Sequence, residues 1–143
     1  MLKESNILII EDNEGDIELI KEAFLSTKAK RNLNFCTNGE EALQYLNNRL
    51  NIEKARPALI LLDINLPKVD GKEVLHFIKN HESLKQIPVI ILSSSALPKD
   101  IQFAYDNHAN SYIVKPSNLK EFIDTVQCIV MFWLECVTYP KRN

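Results

Sequence analysis

Glu11 and Asp12 close an apolar run at residues 6–10, Asp63 closes a second at 59–62, and Lys115, followed directly by Pro116, closes a third at 112–114. Three carboxylates and one ammonium at a common place would suit a hard divalent cation together with a phosphoryl group. Asp63 is the candidate nucleophile, because a carboxylate can take a phosphoryl group as an acyl phosphate. Attacking oxygen and phosphoryl group are both negative, so a cation must lie between them. Glu11 and Asp12 supply ligand charge for that cation, and Lys115 brings a second positive charge to a phosphoryl oxygen. Transfer through a loose transition state is mostly positioning and charge neutralisation, for which this small set suffices. Ser93 ends the run 89–92, where its hydroxyl can donate to the same group. Singly, these residues have plainer readings. Asp12 could be the N-cap of a following helix, Lys115 a solvated surface charge, and the serines at 93–95 a simple turn. Asp63 is the strongest alone, since an ionised carboxylate flanked by buried residues needs compensation.

The runs that end in these residues are short and dense in β-branched or large apolar side chains, as in strands buried on both faces. Strands are expected at 6–11, 33–37, 58–63, 88–93 and 111–115, alternating with helices at 14–28, 39–50, 71–81, 98–107 and 118–137, with bounds good to ~2–4 residues. Five βα units in succession predict a parallel sheet with helices on both faces. All four charged residues then lie at one sheet edge, the edge where open α/β sheets bind ligands. Ile17, Ile20, Phe24 and Leu25 mark the buried face of the first helix, and Ala42, Leu43, Tyr45, Leu46 and Leu50 that of the second. Pro57, Pro67, Pro88 and Pro98 fall between elements, where a missing N–H costs least. Residues 51–56 read as a polar connector, not a domain linker.

At 143 residues, with 45% apolar and 25% charged content, the chain is expected to form one soluble domain with a real core. A net charge of −2 gives no case for nucleic acid or an anionic membrane. No apolar stretch reaches membrane-spanning length, and the first residues lead straight into a strand, so a cytoplasmic protein is expected. Cys36, Cys128 and Cys136 lack C-x-x-C spacing and are expected as reduced, buried or half-buried thiols. None of the three glycines lies in a dinucleotide or P-loop pattern. His76, His81 and His108 are not spaced as metal ligands and are expected at the surface.

Taken together, residues 10–13 (Ile-Glu-Asp-Asn), the stretch 62–71 (Leu-Asp-Ile-Asn-Leu-Pro-Lys-Val-Asp-Gly), Leu92-Ser93 and residues 112–116 (Tyr-Ile-Val-Lys-Pro) resemble the receiver domain of two-component response regulators, from about residue 7 to 130. The resemblance implies a flavodoxin-like (βα)5 sandwich of class α/β, doubly wound, with strand order 2-1-3-4-5. It implies phosphorylation of Asp63 by a partner histidine kinase, with Mg²⁺ (or Mn²⁺) on Asp12, Asp63 and the backbone carbonyl of Asn65, and Glu11 helping through water. It implies that Lys115 contacts the phosphoryl group across a cis Lys115–Pro116 bond, and that Gly71 follows Asp70 in a tight turn. It also implies a switch in which Ser93 moves toward the phosphoryl group while Tyr112 turns inward. The plain alternative for Tyr112 is a static half-buried ring.

After the fifth strand little is left but one helix and a short tail, so one receiver domain over 1–143 is expected, with 131–143 extending the last helix. On that helix Leu119, Phe122, Val126, Val130, Trp133 and Val137 form the core stripe, leaving Cys128, Met131 and Phe132 on the other side. An exposed Met–Phe pair beside a cysteine suggests an interface, a homodimer or a partner surface, unless the tail folds back over it. Residues 132–140, with 11–16 and 109–112, resemble the small response regulators paired with cyanobacterial phytochrome kinases. That implies a bacteriophytochrome-type histidine kinase as partner and commonly a homodimer. Other classes fit less well. An aspartyl-phosphate phosphatase wants a second acid two residues past the nucleophile, where Asn65 stands. A flavodoxin would meet an acidic loop at 13–16 that repels its phosphate. A degenerate receiver would lack Asp63. No turnover of a substrate is expected beyond slow self-dephosphorylation.

Overall fold

The computed structural model describes residues 5–27, 31–52 and 55–140. The expected end of the first helix at 28, part of the 51–56 connector and the tail beyond 140 lie outside the described residues. Five parallel strands, β1 (Ser5–Ile10), β2 (Arg31–Cys36), β3 (Leu59–Leu62), β4 (Val89–Ser93) and β5 (Ser111–Val114), form one sheet in the order 2-1-3-4-5, as expected. Between and after them lie α1 (Glu14–Leu25), α2 (Gly39–Asn47), α3 (Gly71–Lys79), α4 (Pro98–Asp106) and α5 (Leu119–Val130).

Strand parity divides the core into two. Successive side chains on a strand face opposite ways. Leu8, Ile10, Ile60, Leu62, Val89 and Ile91 therefore join Ala42, Leu46, Val74, Leu75, Ile78 and Ala104 from α2, α3 and α4. Ile7, Ile9, Leu59, Leu61, Ile90 and Leu92 join Ile20, Ala23, Phe24, Phe122, Val126 and Ile129 from α1 and α5. The central strands are buried on both faces, which is why they read as unbroken apolar runs.

Four helices open on a side chain that accepts the otherwise orphaned N–H groups of the first turn: Asn13, Asn38, Asp70 and Asn118. The fifth, α4, opens with Pro98, whose missing N–H is no loss at that position. Among the described residues no helix is long and apolar enough to cross a membrane.

Several expectations are corrected. Leu25 and Leu119 are exposed rather than on the core stripes. Leu25 lies about 100° round α1 from the buried Phe24, and Leu119 is the first residue of α5, beyond the reach of the core. The α-helical hydrogen bonding of α5 stops at Val130. Met131–Cys136 continues it as a π-helix, where the Val137 N–H donates to the Phe132 carbonyl five residues back. Trp133 and Leu134 still pack against the second core. The Lys115–Pro116 bond is trans, the isomer favoured by about 0.5–1 kcal/mol, and Lys115 reaches its partners in that form. Gly71 makes no special turn: it is the first residue of α3, behind the N-cap Asp70. A Cβ there would lie 2.4 Å from the Asp63 carbonyl oxygen and 2.5 Å from Ile64 Cα. Only glycine lets α3 start hard against the end of β3. Cys36 is buried, but Cys128 and Cys136 are exposed, contrary to the thiol expectation.

Candidate functional site

The chain leaves β1 toward β2 on one side and returns toward β3 on the other, so a crevice opens between the ends of β1 and β3. Hydrogen bonding runs one residue past the strands. The Glu11 N–H donates to the Cys36 carbonyl at 3.0 Å, the Asp63 N–H to the Ile10 carbonyl at 3.0 Å, and the Lys115 N–H to the Ser93 carbonyl at 2.8 Å. Three of the four charged residues are thus held by the sheet itself.

Around the crevice stand Glu11, Asp12, Asp16, Asp63, Asn65 and Lys115. One oxygen each of Glu11, Asp12 and Asp63 lie within 4.8 Å of one another. Glu11 and Asp63 are buried and Asp12 is exposed. Helix α1 is capped by Asn13, not Asp12, which disposes of the plain reading of Asp12 as a cap. An all-oxygen, all-anionic donor set of this size suits a hard divalent cation.

The Lys115 ammonium meets three carboxylates: Glu11 Oε1 at 2.5 Å, Asp16 Oδ2 at 2.8 Å and Asp63 Oδ2 at 2.9 Å. Burial alone would push its pKa down, but the bonds to Asp16, Glu11 and Asp63 outweigh burial and hold it above the usual lysine range. Burial pushes the Glu11 carboxyl up to about 7 against the opposing bond to Lys115, and the charge of Asp63 adds to the rise. The second oxygen of Asp63 accepts the Asn65 N–H at 3.0 Å, which fixes the carboxylate plane. Asn65 is exposed at the rim.

Ser93 lies behind the wall of this crevice. It is fully buried, and its Oγ accepts the Ser95 N–H at 3.2 Å. The serine lining the crevice is Ser94. Tyr112 packs its half-buried ring against the first core and donates its hydroxyl to the Ser95 carbonyl at 2.7 Å. Cys128, Met131 and Phe132 are exposed on and after α5, away from the crevice-lining set.

Sequence reasoning missed two features. One is Asp16, in the acidic stretch 11–16, which bonds a lysine ninety-nine positions away. The other is a network behind Ser95: the Ser95 Oγ donates to Asp100 Oδ2 at 2.5 Å, and Lys72 Nζ reaches Asp100 Oδ1 at 2.8 Å. Bonds to Lys72 and Ser95 hold the Asp100 carboxyl below the usual range. Asp100 was visible in sequence only as an acid in the first turn of a helix, a common and uninformative feature.

The family profile of the response regulator receiver domain matches residues 7–127. Response regulator Rcp1 of Synechocystis sp. is 41% identical over 145 aligned positions, which cover 98% of this chain and 99% of that one. The crystal structure of the phosphorylated cyanobacterial phytochrome response regulator RcpA matches with a TM-score of 0.91 at 43% identity, over 97% of this chain and 100% of that one. The Mn²⁺-bound form of Rcp1 matches at 0.88 and 40%, over 96% and 99%. A crevice of carboxylates bridged by one lysine, on this sheet and with these relatives, places the chain in the response regulator receiver family, the phosphoacceptors of two-component signalling.

Proposed function

We propose that the chain, as a single receiver domain over 1–143 with 131–143 as an extension, takes a phosphoryl group on Asp63 from a sensor histidine kinase. The observation that carries this is the buried Asp63 carboxylate, held by Lys115 and the Asn65 N–H and beside Glu11 and Asp12. An Asp63 oxygen forms the bond to phosphorus as the P–N bond of a phosphohistidine breaks. The imidazole nitrogen keeps the bonding pair of the broken P–N bond. Lys115 moves its charge toward the incoming phosphoryl oxygens, and Ser93 supplies a hydroxyl once it leaves its buried bond. Tyr112 serves as the aromatic partner of that switch, stabilising one of two packings. Mg²⁺, with Mn²⁺ as a substitute, fits the oxygen donors of Glu11, Asp12, Asp63 and the Asn65 carbonyl, and when bound neutralises charge between nucleophile and phosphoryl group.

The likeness to Rcp1 and RcpA supports a phytochrome-type light sensor as the kinase. The exposed Cys128, Met131 and Phe132 support a homodimer through the α5 end. The setting is cytoplasmic, with no role for nucleic acid or membrane, and phosphoryl loss is slow self-dephosphorylation. Intact mass after incubation with acetyl phosphate and Mg²⁺ tests the core of this. Wild type should gain one phosphoryl group, lost when Mg²⁺ is chelated, and Asp63→Asn should gain none. An equal gain in Asp63→Asn would place the acceptor elsewhere.

A further inference from the structure

Asp16 is the third residue of α1, counted from the cap Asn13. An acid at that position ordinarily complements the helix dipole and reaches back to the N–H of the cap residue. Here it does not reach back. The Asn13 N–H is taken by Glu11 Oε2 at 3.2 Å, and the Asp16 carboxylate turns across the crevice to Lys115 at 2.8 Å. The Asp16 side chain is 22% exposed, against 7% for Lys115. It is also outside the group of Glu11, Asp12 and Asp63 whose oxygens could share one cation.

The three partners of Lys115 are therefore of two kinds. Glu11 and Asp63 are wanted both by the lysine and by a cation, whereas Asp16 is wanted by the lysine alone. We infer that Asp16 is the positioning residue for Lys115: it keeps the ammonium in the crevice as Glu11 and Asp63 turn to a divalent cation. Without it, a displaced Lys115 would have no anionic partner of its own and would compete for the ligands the cation needs. The inference rests on the reading of Glu11, Asp12 and Asp63 as the cation site. Glu14 offers a comparison, since it lines the same crevice but is exposed and, among the described residues, bonded to no lysine.

The test is equilibrium binding of Mn²⁺ alone to the metal-free full chain, read from the paramagnetic resonance of the free ion, at low salt and in 1 M NaCl. Loss of an outer partner of a metal site costs roughly tenfold or more in affinity. That loss is expected for Asp16→Asn and should persist in 1 M salt, because a contact ion pair is screened far less than distant charges. Asp16→Glu should recover most of it. Glu14→Gln, which removes the same charge at a distance, should cost less than about threefold at low salt and nothing at 1 M, where the screening length is about 3 Å. Unchanged Mn²⁺ affinity in a folded Asp16→Asn, or a loss equal to that of Glu14→Gln that vanishes in salt, overturns the positioning role. Asp63→Asn in the same titration separates the two levels. If it binds Mn²⁺ as tightly as wild type, the cation site itself is wrongly placed and the role of Asp16 falls with it.

Discussion

Lys115 is buried among three acids and bonds to each of them. Its side chain is 7% exposed, and those of Glu11 and Asp63 are 3% and 8%. An exposed ion pair would contribute only about 0–1 kcal/mol, but removing one partner of a buried pair costs about 3–5 kcal/mol. Lys115→Met is therefore expected to lower unfolding stability by about 3 kcal/mol, measured by urea titration near neutral pH. A loss under about 1 kcal/mol would mean that these carboxylates are already well hydrated. The same residues mark what was legible at this scale. Glu11 and Asp63 announce themselves because a charge ending a buried strand must have a partner, and Lys115, which follows the half-buried β5, is legible only alongside them. Asp16 stays hidden because an acid in the first turn of a helix has an ordinary role, and only its side-chain direction removes it from that role. Ser93 was legible as a residue near the site but not as one tucked behind it, since side-chain burial at a strand end depends on the loop that follows.

At the scale of elements, close approach and networks decide more than propensity. The Cβ of Gly71→Ala would meet backbone atoms of Asp63 and Ile64, which cannot rotate aside. Helix α3 must then back away from β3, at a cost of about 2–3 kcal/mol by the measure of overpacked cores. Thermal unfolding would show it, and a neutral effect would contradict the tight start of α3. The network of Lys72, Asp100 and Ser95 ties α3 and α4 to the loop whose carbonyl holds Tyr112. Its pH dependence has a definite sign. The Asp100 pKa is depressed in the fold, so its contribution is complete above the ordinary aspartate value near 3.9 and drains away as pH falls below that, toward the folded value. Wild type should thus melt higher than Asp100→Asn at pH 7, with the gap narrowing as pH falls below the ordinary aspartate value. A gap that is constant with pH would mean that Asp100 does not titrate with folding. The strands were readable because double burial leaves a continuous apolar run. The helix ends were less so: nothing in the apolar periodicity of residues 119–137 signals that hydrogen bonding widens after Val130.

For the whole molecule, alternating βα units and connection lengths leave few ways to fold a parallel sheet, and the strand order followed from the resemblance. The outer surface is a different matter, because apolar side chains are common there and a single chain does not say what covers them. Met131 and Phe132 are each about half exposed, at 53% and 52%, with Cys128 beside them. If they form a two-fold contact, wild type should sediment as a dimer and the double variant Met131→Lys/Phe132→Glu as a folded monomer. An unchanged oligomeric state in a folded double variant would remove these residues from any such contact.

The most direct measurement is to phosphorylate the chain with acetyl phosphate and Mg²⁺, reduce it with borohydride, and map the product by peptide mass spectrometry. Borohydride converts an aspartyl phosphate to homoserine, so the acceptor is marked where it stands. Homoserine at position 63, and at none of positions 12, 16 and 70, is the expected result. Homoserine at one of those other aspartates with position 63 unmodified would contradict the assignment of Asp63 as the phosphoacceptor.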